Sequence, residues 1–204
     1  MACSAFDVNY VHGNFLTDRE WDLIAGSGGT MTITPSTDML MQFGTFPATG
    51  PALARGIVSG FGIDTICSAG NDLFSEMRLA LAAERSRANA TAISSDKLAP
   101  AVDLHQRDMF RLATIDSARV WHLEHEIGTL TPGKQADIVI IDSRSPHLDG
   151  FGDPVAVMVL GAGPADVETV IVGGDVVKRE GKLTGDHATL ALELMHATRR
   201  HLRA

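Results

Sequence analysis

The first half of the sequence alternates between short apolar segments and helical segments, and this alternation is the strongest constraint on the fold. The apolar segments Val8–Val11, Thr30–Ile33 and Ile57–Ile63 have the length and composition of buried strands. After the first of them, Thr17 and Glu20 form a capping box, which predicts a helix that stops near the following glycines. Strands that alternate with helices favour a parallel sheet, so we expect an α/β fold.

A second, longer helix is predicted to begin at Asn71 or Asp72 and to end between Glu84 and Ala88. Two segments rich in small, polar, glycine or proline residues are predicted to be loops, residues Ser36–Gly50 and Asn89–Pro100. Further helices are predicted over Pro51–Arg55, Asp103–Ile115 and Ser117–Leu123.

The pattern changes near Gly128, where strands begin to follow one another. Strands are predicted over Ala136–Ile141, Val167–Val172 and Asp175–Arg179. Gly173-Gly174 predicts a hairpin turn between the last two strands, and Glu180-Gly181-Lys182 predicts another turn. An amphipathic helix over His187–Arg203 ends the chain. We therefore expect a boundary between residues 1–127 and residues 128–204.

Composition excludes several classes of function. The 17 Lys and Arg against 25 Asp and Glu give a net charge of −8, and no concentrated basic face is evident, so nucleic-acid binding is not expected. No apolar run is long enough to span a bilayer, and the first residues lack the pattern of a signal peptide. Two cysteines, Cys3 and Cys67, provide no disulfide framework. These features favour a cytoplasmic protein.

Two polar residues stand directly after predicted parallel strands. His12 follows the first strand in the run Tyr-Val-His-Gly-Asn-Phe-Leu-Thr, and Asp64 follows the third in the run Gly-Ile-Asp-Thr. Reacting groups of α/β barrels lie at the carboxyl ends of the strands. We therefore expect His12 and Asp64 to face a common cavity at one end of the sheet.

These runs, with the Asn-Asp-Leu-Phe-Ser-Glu-Met-Arg stretch at residues 71–78, resemble strands six and eight of the amidohydrolase superfamily. The resemblance is to its branch of cytosine deaminases, guanine deaminases and triazine hydrolases. Residues 128–139 and 170–174 are similar to the C-terminal β-sandwich of those enzymes. The resemblance implies a partial (β/α)8 metallo-dependent hydrolase barrel, strands six to eight, followed by a small β-sandwich-type piece and a C-terminal helix.

By this resemblance, Asp64 matches an aspartate that binds the metal and moves a proton from the metal-bound water to the leaving amine. His12 matches a histidine that orients the water and polarises the substrate. The implied reaction is hydrolysis of a carbon–nitrogen bond other than a peptide bond, with deamination of a purine, pyrimidine or triazine-like ring as the expected example. The implied metal is zinc or iron, which lowers the pKa of bound water to about 7.

The sequence also departs from the family pattern. The His-x-His pair of strand one and the histidine of strand five have no counterpart before His12, so Asp64 is the one expected metal ligand. A catalytic zinc needs three protein ligands and an open position, and three strands do not close a barrel. Thr65 stands where many relatives have glycine. We expect a truncated chain that binds metal poorly and is inactive alone.

The alternative is a non-catalytic remnant, or a subunit whose missing strands come from a complementing chain or a homo-oligomer. Several other residues have weaker claims to function. His122 and His125 have a chelating spacing, but a solvated surface is favoured. Glu76 and Arg78 are expected to be structural, and Cys67 is expected to fill apolar space. The side chains of Met39, Met41 and Phe43 either line a pocket or pack the loop.

Overall fold

The computed structural model describes residues 8–65, 71–98 and 104–202. Within these ranges the strands are β1 Asn9–Val11, β2 Thr30–Ile33, β3 Ser59–Phe61, β4 Ile138–Ile141, β5 Val167–Val172, β6 Asp175–Arg179 and β7 Lys182–Leu183. The helices are α1 Asp18–Ser27, α2 Pro35–Leu40, α3 Thr49–Ala54, α4 Leu73–Ser94, α5 Gln106–Leu112, α6 Ile115–Val120, α7 Pro154–Ala156 and α8 His187–Leu202.

The first sheet contains β1, β2 and β3 in that order, and both pairings are parallel, as the alternation of elements predicted. Tyr10 lies opposite Met31, and Thr32 lies opposite Gly60. The central strand β2 is largely buried; α1 connects β1 to β2, and α2 and α3 connect β2 to β3. Because the strands are parallel, their carboxyl ends meet at one edge of the sheet.

Helix α1 begins where its capping box predicts. Glu20 N–H donates to the Thr17 hydroxyl at 3.4 Å, and Thr17 N–H donates to the Glu20 carboxylate at 2.7 Å. These two bonds satisfy backbone donors that a helix N-terminus otherwise leaves unpaired, and such caps stabilise by about 1 kcal/mol. The helix ends at Gly28, whose φ of 74° is the left-handed value that glycine tolerates best. Trp21 and Ile24 on its inner face are buried.

The core lies between the first sheet and the helices that follow it. Met31 and Ile33 of β2 have no exposure, and Leu81 of α4 and Met109 and Leu112 of α5 are almost completely buried against the same cluster. Burying each such side chain stabilises by about 1.5–3 kcal/mol. The core therefore holds α4 and α5 together with the central strand.

Gly60 allows α6 to approach β3 closely. A Cβ at this position would lie 2.5 Å from the Ser117 hydroxyl and 2.7 Å from the Ser117 Cα. The Ser117 hydroxyl accepts the Phe61 N–H at 3.2 Å and donates to the Leu112 carbonyl at 2.6 Å. Glycine within a strand commonly marks such a close approach.

The prediction of a loop over Ser36–Gly50 is wrong at its start. Pro35 occupies the first turn of α2, where its fixed φ suits a helix and its missing N–H costs nothing. The Asp38 N–H donates to the Thr34 carbonyl at 2.9 Å and closes the first helical turn. Helix α3 also begins at Thr49, two residues before the predicted start. Ser36, Thr37 and Asp38 are buried, and their hydrogen bonds to other elements hold a helix that the sequence pattern does not show.

The long helix α4 extends beyond its predicted end. It begins after Asp72, whose side chain accepts the Ser75 N–H at 2.8 Å, and it continues to Ser94. The loop predicted from Asn89 is therefore wrong as far as Ser94. Alanines have high helix propensity, and Ala92 is buried, so the last turns gain both propensity and packing.

The second sheet contains β4, β5, β6 and β7 in antiparallel order. The turn at Gly173-Gly174 has φ values of +57° and +95°, as a tight hairpin requires. Lys182, predicted to lie in a turn, instead begins β7, which pairs with the end of β6. This sheet and the parallel sheet lie on opposite sides of Gly128 in the sequence, and the boundary there stays a prediction.

The segment after β4 returns to the first half of the molecule. Helix α7 packs against α5, and the π-helical turn Val157–Gly161 packs against both α4 and α5. Arg78 on α4 donates from Nη1 to the Ala162 carbonyl at 2.6 Å, a contact that agrees with the structural role expected for this residue. Helix α8 lies largely exposed, and no helix among the described residues has the length and apolar character to cross a membrane.

Candidate active site

The carboxyl edge of the parallel sheet brings the predicted site residues to the same end of the molecule. His12 follows β1, Thr34 follows β2 and Asp64 follows β3. Since neighbouring strands lie about 4.8 Å apart, the ends of β1 and β3 are separated by roughly 10 Å with β2 between them. That His12 and Asp64 face one cavity stays a prediction, but the strand directions it requires are present.

Both predicted site residues have left-handed backbone conformations. The φ angle is 69° at His12 and 62° at Asp64. This region is uncommon for residues other than glycine, and such strain is concentrated at functional sites. At His12 the backbone N–H still donates to the Thr32 carbonyl at 3.2 Å, so the strand pairing holds the turn in place. His12 directly follows β1, whereas Asp64 lies three residues after the end of β3.

His12 is held by a buried carboxylate that the sequence analysis did not identify. Its Nδ1 lies 2.7 Å from Oδ1 of Asp38 and 3.1 Å from the Thr34 hydroxyl. The Thr34 hydroxyl also donates to the same Asp38 oxygen at 3.0 Å. Asp38 has no exposure, whereas the His12 side chain is 32% exposed. The imidazole is thus fixed on one side by the protein and open on the other.

An open cleft of about 540 Å³ lies beside His12. Its lining includes His12, Asn14, Phe15 and Phe43. The Phe43 ring meets the His12 ring edge to face with centroids 5.1 Å apart, a favourable aromatic geometry. The amide nitrogen and oxygen of Asn14 are both buried without a hydrogen-bond partner among the described residues. The cleft therefore combines an imidazole, an aromatic wall and an amide.

Helix α2 makes side-chain hydrogen bonds near the ends of both β1 and β3. Through Asp38 it holds His12, and through the Thr37 hydroxyl it donates to the Ile63 carbonyl at 3.2 Å, one residue before Asp64. The position of both predicted residues therefore depends on this short helix.

Helix α2 is itself fixed by Glu76 of α4. The Ser36 N–H donates to Oε2 of Glu76 at 2.9 Å, and the Ser36 hydroxyl donates to Oε1. Burial raises the pKa of the Glu76 carboxyl above its usual range, although the hydrogen bonds from Ser36 oppose this shift. Glu76 is completely buried, and its bonds to Ser36 agree with the structural role expected for it.

The remaining candidates are placed as follows. His122 and His125 are exposed, and the His125 side chain is 89% accessible, in agreement with a solvated surface. Met39 and Met41 are exposed, whereas Phe43 contacts His12. Cys67 lies outside the described residues.

The described residues do not by themselves fit a catalytic metal ion. No group of three or more His, Cys, Asp or Glu side chains in this part of the chain is arranged to hold one. A catalytic zinc takes three protein ligands and an open position. Asp64 is exposed and stands as a single candidate ligand.

Polar groups at the carboxyl edge of a parallel α/β sheet define an enzyme-type site. The chain belongs to the amidohydrolase family, whose pattern it matches over residues 8–177. This match confirms the resemblance that the motifs around His12 and Asp64 indicated, and with it the hydrolase class.

Relatives and solved structures agree with this family. The chain is 33% identical over 187 residues to a 5'-deoxyadenosine deaminase of Methanothermobacter thermautotrophicus, covering 91% of this chain and 41% of the relative. It is 32% identical over 173 residues to a 5-methylthioadenosine/S-adenosylhomocysteine deaminase of Pyrococcus abyssi, covering 84% of this chain and 38% of the relative. The chain thus spans about two fifths of the length of these relatives.

The fold is shared with zinc-bound enzymes. An adenosine deaminase from Xanthomonas campestris with bound zinc superposes with a TM-score of 0.80 at 24% identity, over 96% of this chain and 43% of that one. An atrazine chlorohydrolase from Arthrobacter aurescens, complexed with zinc, gives a TM-score of 0.79 at 24% identity, over 95% of this chain and 41% of that one.

Proposed function

We propose that this chain is part of a metal-dependent hydrolase that removes an amino group from a heterocyclic ring, with a 6-aminopurine nucleoside as the first substrate to test. The observation that supports this most is His12, fixed by Asp38 at the carboxyl end of β1 beside an open cleft. The relatives named above are deaminases of adenosine derivatives. Pyrimidine and triazine-like rings are the alternative substrates.

In this proposal His12 contacts the substrate or the attacking water from the cleft side of its ring. Asp64 supplies one ligand of a zinc or iron ion, and the other ligands come from outside the described residues. Phe43 provides an apolar wall against which a flat ring can stack.

The first prediction concerns metal binding. The 204-residue chain, purified after growth with zinc and dialysed, should retain far less than one zinc per chain, because its described residues offer no group of three ligands. Elemental analysis measures this ratio. One tightly held zinc per chain would show that the ligand set is complete within the chain and would overturn this part of the proposal.

The second prediction concerns catalysis. The protein to assay is this chain together with any in-frame sequence that precedes Met1 in its gene. His12→Asn and Asp64→Asn should each lower kcat/KM for ammonia release from 5'-deoxyadenosine by about 100-fold or more, the usual effect of losing a proton-transfer group. His125→Asn, which alters an exposed histidine away from the cleft, should leave the rate unchanged. Equal rates in all variants, or no release from any amino-heterocycle, would contradict the proposal.

The second candidate function is that of a subunit completed by another chain. Among the described residues β1 pairs with β2 alone. Val11 at the end of this edge strand is 50% exposed, and Val8, which precedes the strand, is 37% exposed. Unpaired edges template pairing with further strands. Light scattering after gel filtration tests this alternative: a dimer or larger assembly supports it, whereas a monomer with cooperative melting contradicts it.

A further inference from the structure

We propose that Asp38 is a positioning residue that fixes the tautomer of His12, with the proton on Nδ1 and the lone pair of Nε2 available to the cleft. This inference deepens the proposed function, since it assigns the protonation state in which His12 meets a substrate or water. It rests on the geometry around the imidazole.

The hydrogen-bond directions carry the first step. An ionised carboxylate accepts hydrogen bonds and cannot donate them. Oδ1 of Asp38 already accepts from the Thr34 hydroxyl at 3.0 Å, so this hydroxyl proton is not available to His12. The 2.7 Å contact between Nδ1 and Oδ1 therefore requires that Nδ1 donates. In a neutral imidazole, a proton on Nδ1 leaves Nε2 as an acceptor.

The position of the pair carries the second step. The hydrogen bonds of the His12 side chain to described residues all involve Nδ1, on the side of the ring facing Asp38. The ring also lines the cleft with Phe43. An imidazole whose one nitrogen is tied to a buried carboxylate presents its other nitrogen in a defined orientation, as general acid–base histidines require.

The burial of Asp38 carries the third step. Its side chain has no exposure, and Oδ2 has no hydrogen-bond partner among the described residues. A buried carboxylate oxygen left unsatisfied destabilises the fold, so this residue is a poor choice for stability alone. Its contact with a histidine in a strained, left-handed conformation accounts for its placement.

The test is 15N NMR of the ring nitrogens in the 204-residue chain, which requires neither substrate nor metal. The two nitrogens of a neutral imidazole differ strongly in chemical shift according to which one carries the proton. Among the eight histidines, His12 is assigned by contacts between its ring protons and those of Phe43. The proposal expects Nδ1–H as the dominant neutral form in the wild type.

Two variants separate positioning from structure. Asp38→Asn should abolish the dominance of the Nδ1–H form, because an amide can donate to Nδ1 as well as accept. Thr34→Val removes the neighbouring hydroxyl but leaves the carboxylate, so Nδ1–H should persist. An Nε2–H form in the wild type, or an unchanged tautomer in Asp38→Asn, would overturn the proposal. Even if a variant fails to fold, the wild-type spectrum shows which ring nitrogen of His12 carries the proton. The measurement does not require deaminase activity, so it remains informative if the proposed function is wrong.

Discussion

Two buried carboxylates hold helix α2 in place, one on α4 and one on α2 itself. They differ in how many of their oxygens accept hydrogen bonds. Glu76 contacts the start of the helix and accepts hydrogen bonds on both oxygens, from the Ser36 N–H and the Ser36 hydroxyl. Asp38, within the helix, uses only Oδ1, which it shares between His12 and Thr34, and its Oδ2 is left without a partner among the described residues.

This difference indicates two kinds of use for a buried acid. A carboxylate with both oxygens occupied by backbone and hydroxyl donors attaches one element to another, in this case α4 to α2. A carboxylate with one oxygen that accepts no hydrogen bond is costly to bury. Its presence is explained by the group that it orients. We therefore expect substitutions at Glu76 to affect stability, and substitutions at Asp38 to affect the chemistry of His12.

The largest effect is expected for Glu76→Ala. The change leaves the N–H and hydroxyl of Ser36 buried without an acceptor and opens a cavity beneath α2. Each unsatisfied donor costs about 1–3 kcal/mol, so the free energy of unfolding should fall by roughly 3 kcal/mol or more. Urea unfolding followed by circular dichroism measures it.

The control for this change is Glu193→Ala on the exposed helix α8, which should alter the free energy of unfolding by less than about 0.5 kcal/mol. A loss at Glu76 no greater than that at Glu193 would show that the attachment of α4 to α2 contributes nothing to stability. The distinction between a structural Glu76 and an orienting Asp38 would then be wrong.

A smaller effect is expected for Glu76→Gln, and it should depend on pH. Burial raises the pKa of Glu76 in the folded protein, so the folded state binds this proton more tightly than the unfolded state does. The contribution of Glu76 to stability is therefore fully present below the unfolded pKa of about 4.3, and it falls as pH rises through the folded pKa.

Glutamine does not titrate, so the stability of the wild type relative to Glu76→Gln should decrease as pH rises through this interval. The difference in free energy of unfolding between the two proteins, measured by urea titration at several pH values, reports this one group. A difference that is constant, or that grows in favour of the wild type with rising pH, contradicts the raised pKa.

The sequence predicted the elements whose signals are local. The capping box at Thr17 and Glu20 located α1, and the apolar run Thr30–Ile33 located β2 to the residue. The histidine and aspartate at the strand ends were recognisable because they follow apolar segments within distinctive runs. The family of the chain is confirmed, whereas the roles of His12 and Asp64 stay proposals.

The elements that the sequence analysis missed depend on contacts distant in the chain. Helix α2 has six residues, too few for a periodic pattern, and it is stabilised by Glu76, 40 residues away from Ser36. Because this segment was predicted to be a loop, Asp38 was not considered as the partner of His12. A signal was available: Pro35 suits the first turn of a helix, and a helix from there places Asp38 one turn from Thr34.

The smallest effect on stability is expected for Asp38→Asn. The amide has almost the same shape, its oxygen can accept from Thr34, and the substitution removes a buried charge that has only one occupied oxygen. The large cost of breaking a buried ion pair comes from the charge that is left unpaired, and a neutral, partly exposed His12 leaves none, so the free energy of unfolding should change by less than about 1 kcal/mol. Urea unfolding under the conditions used for Glu76→Ala provides the direct comparison.

A loss of stability as large as that of Glu76→Ala would mean that Asp38 attaches α2 to the residue after β1 as Glu76 attaches α2 to α4. Both acids would then be structural. A near-neutral result, together with the altered tautomer of His12, would instead separate the acid that holds the helix from the acid that orients the imidazole.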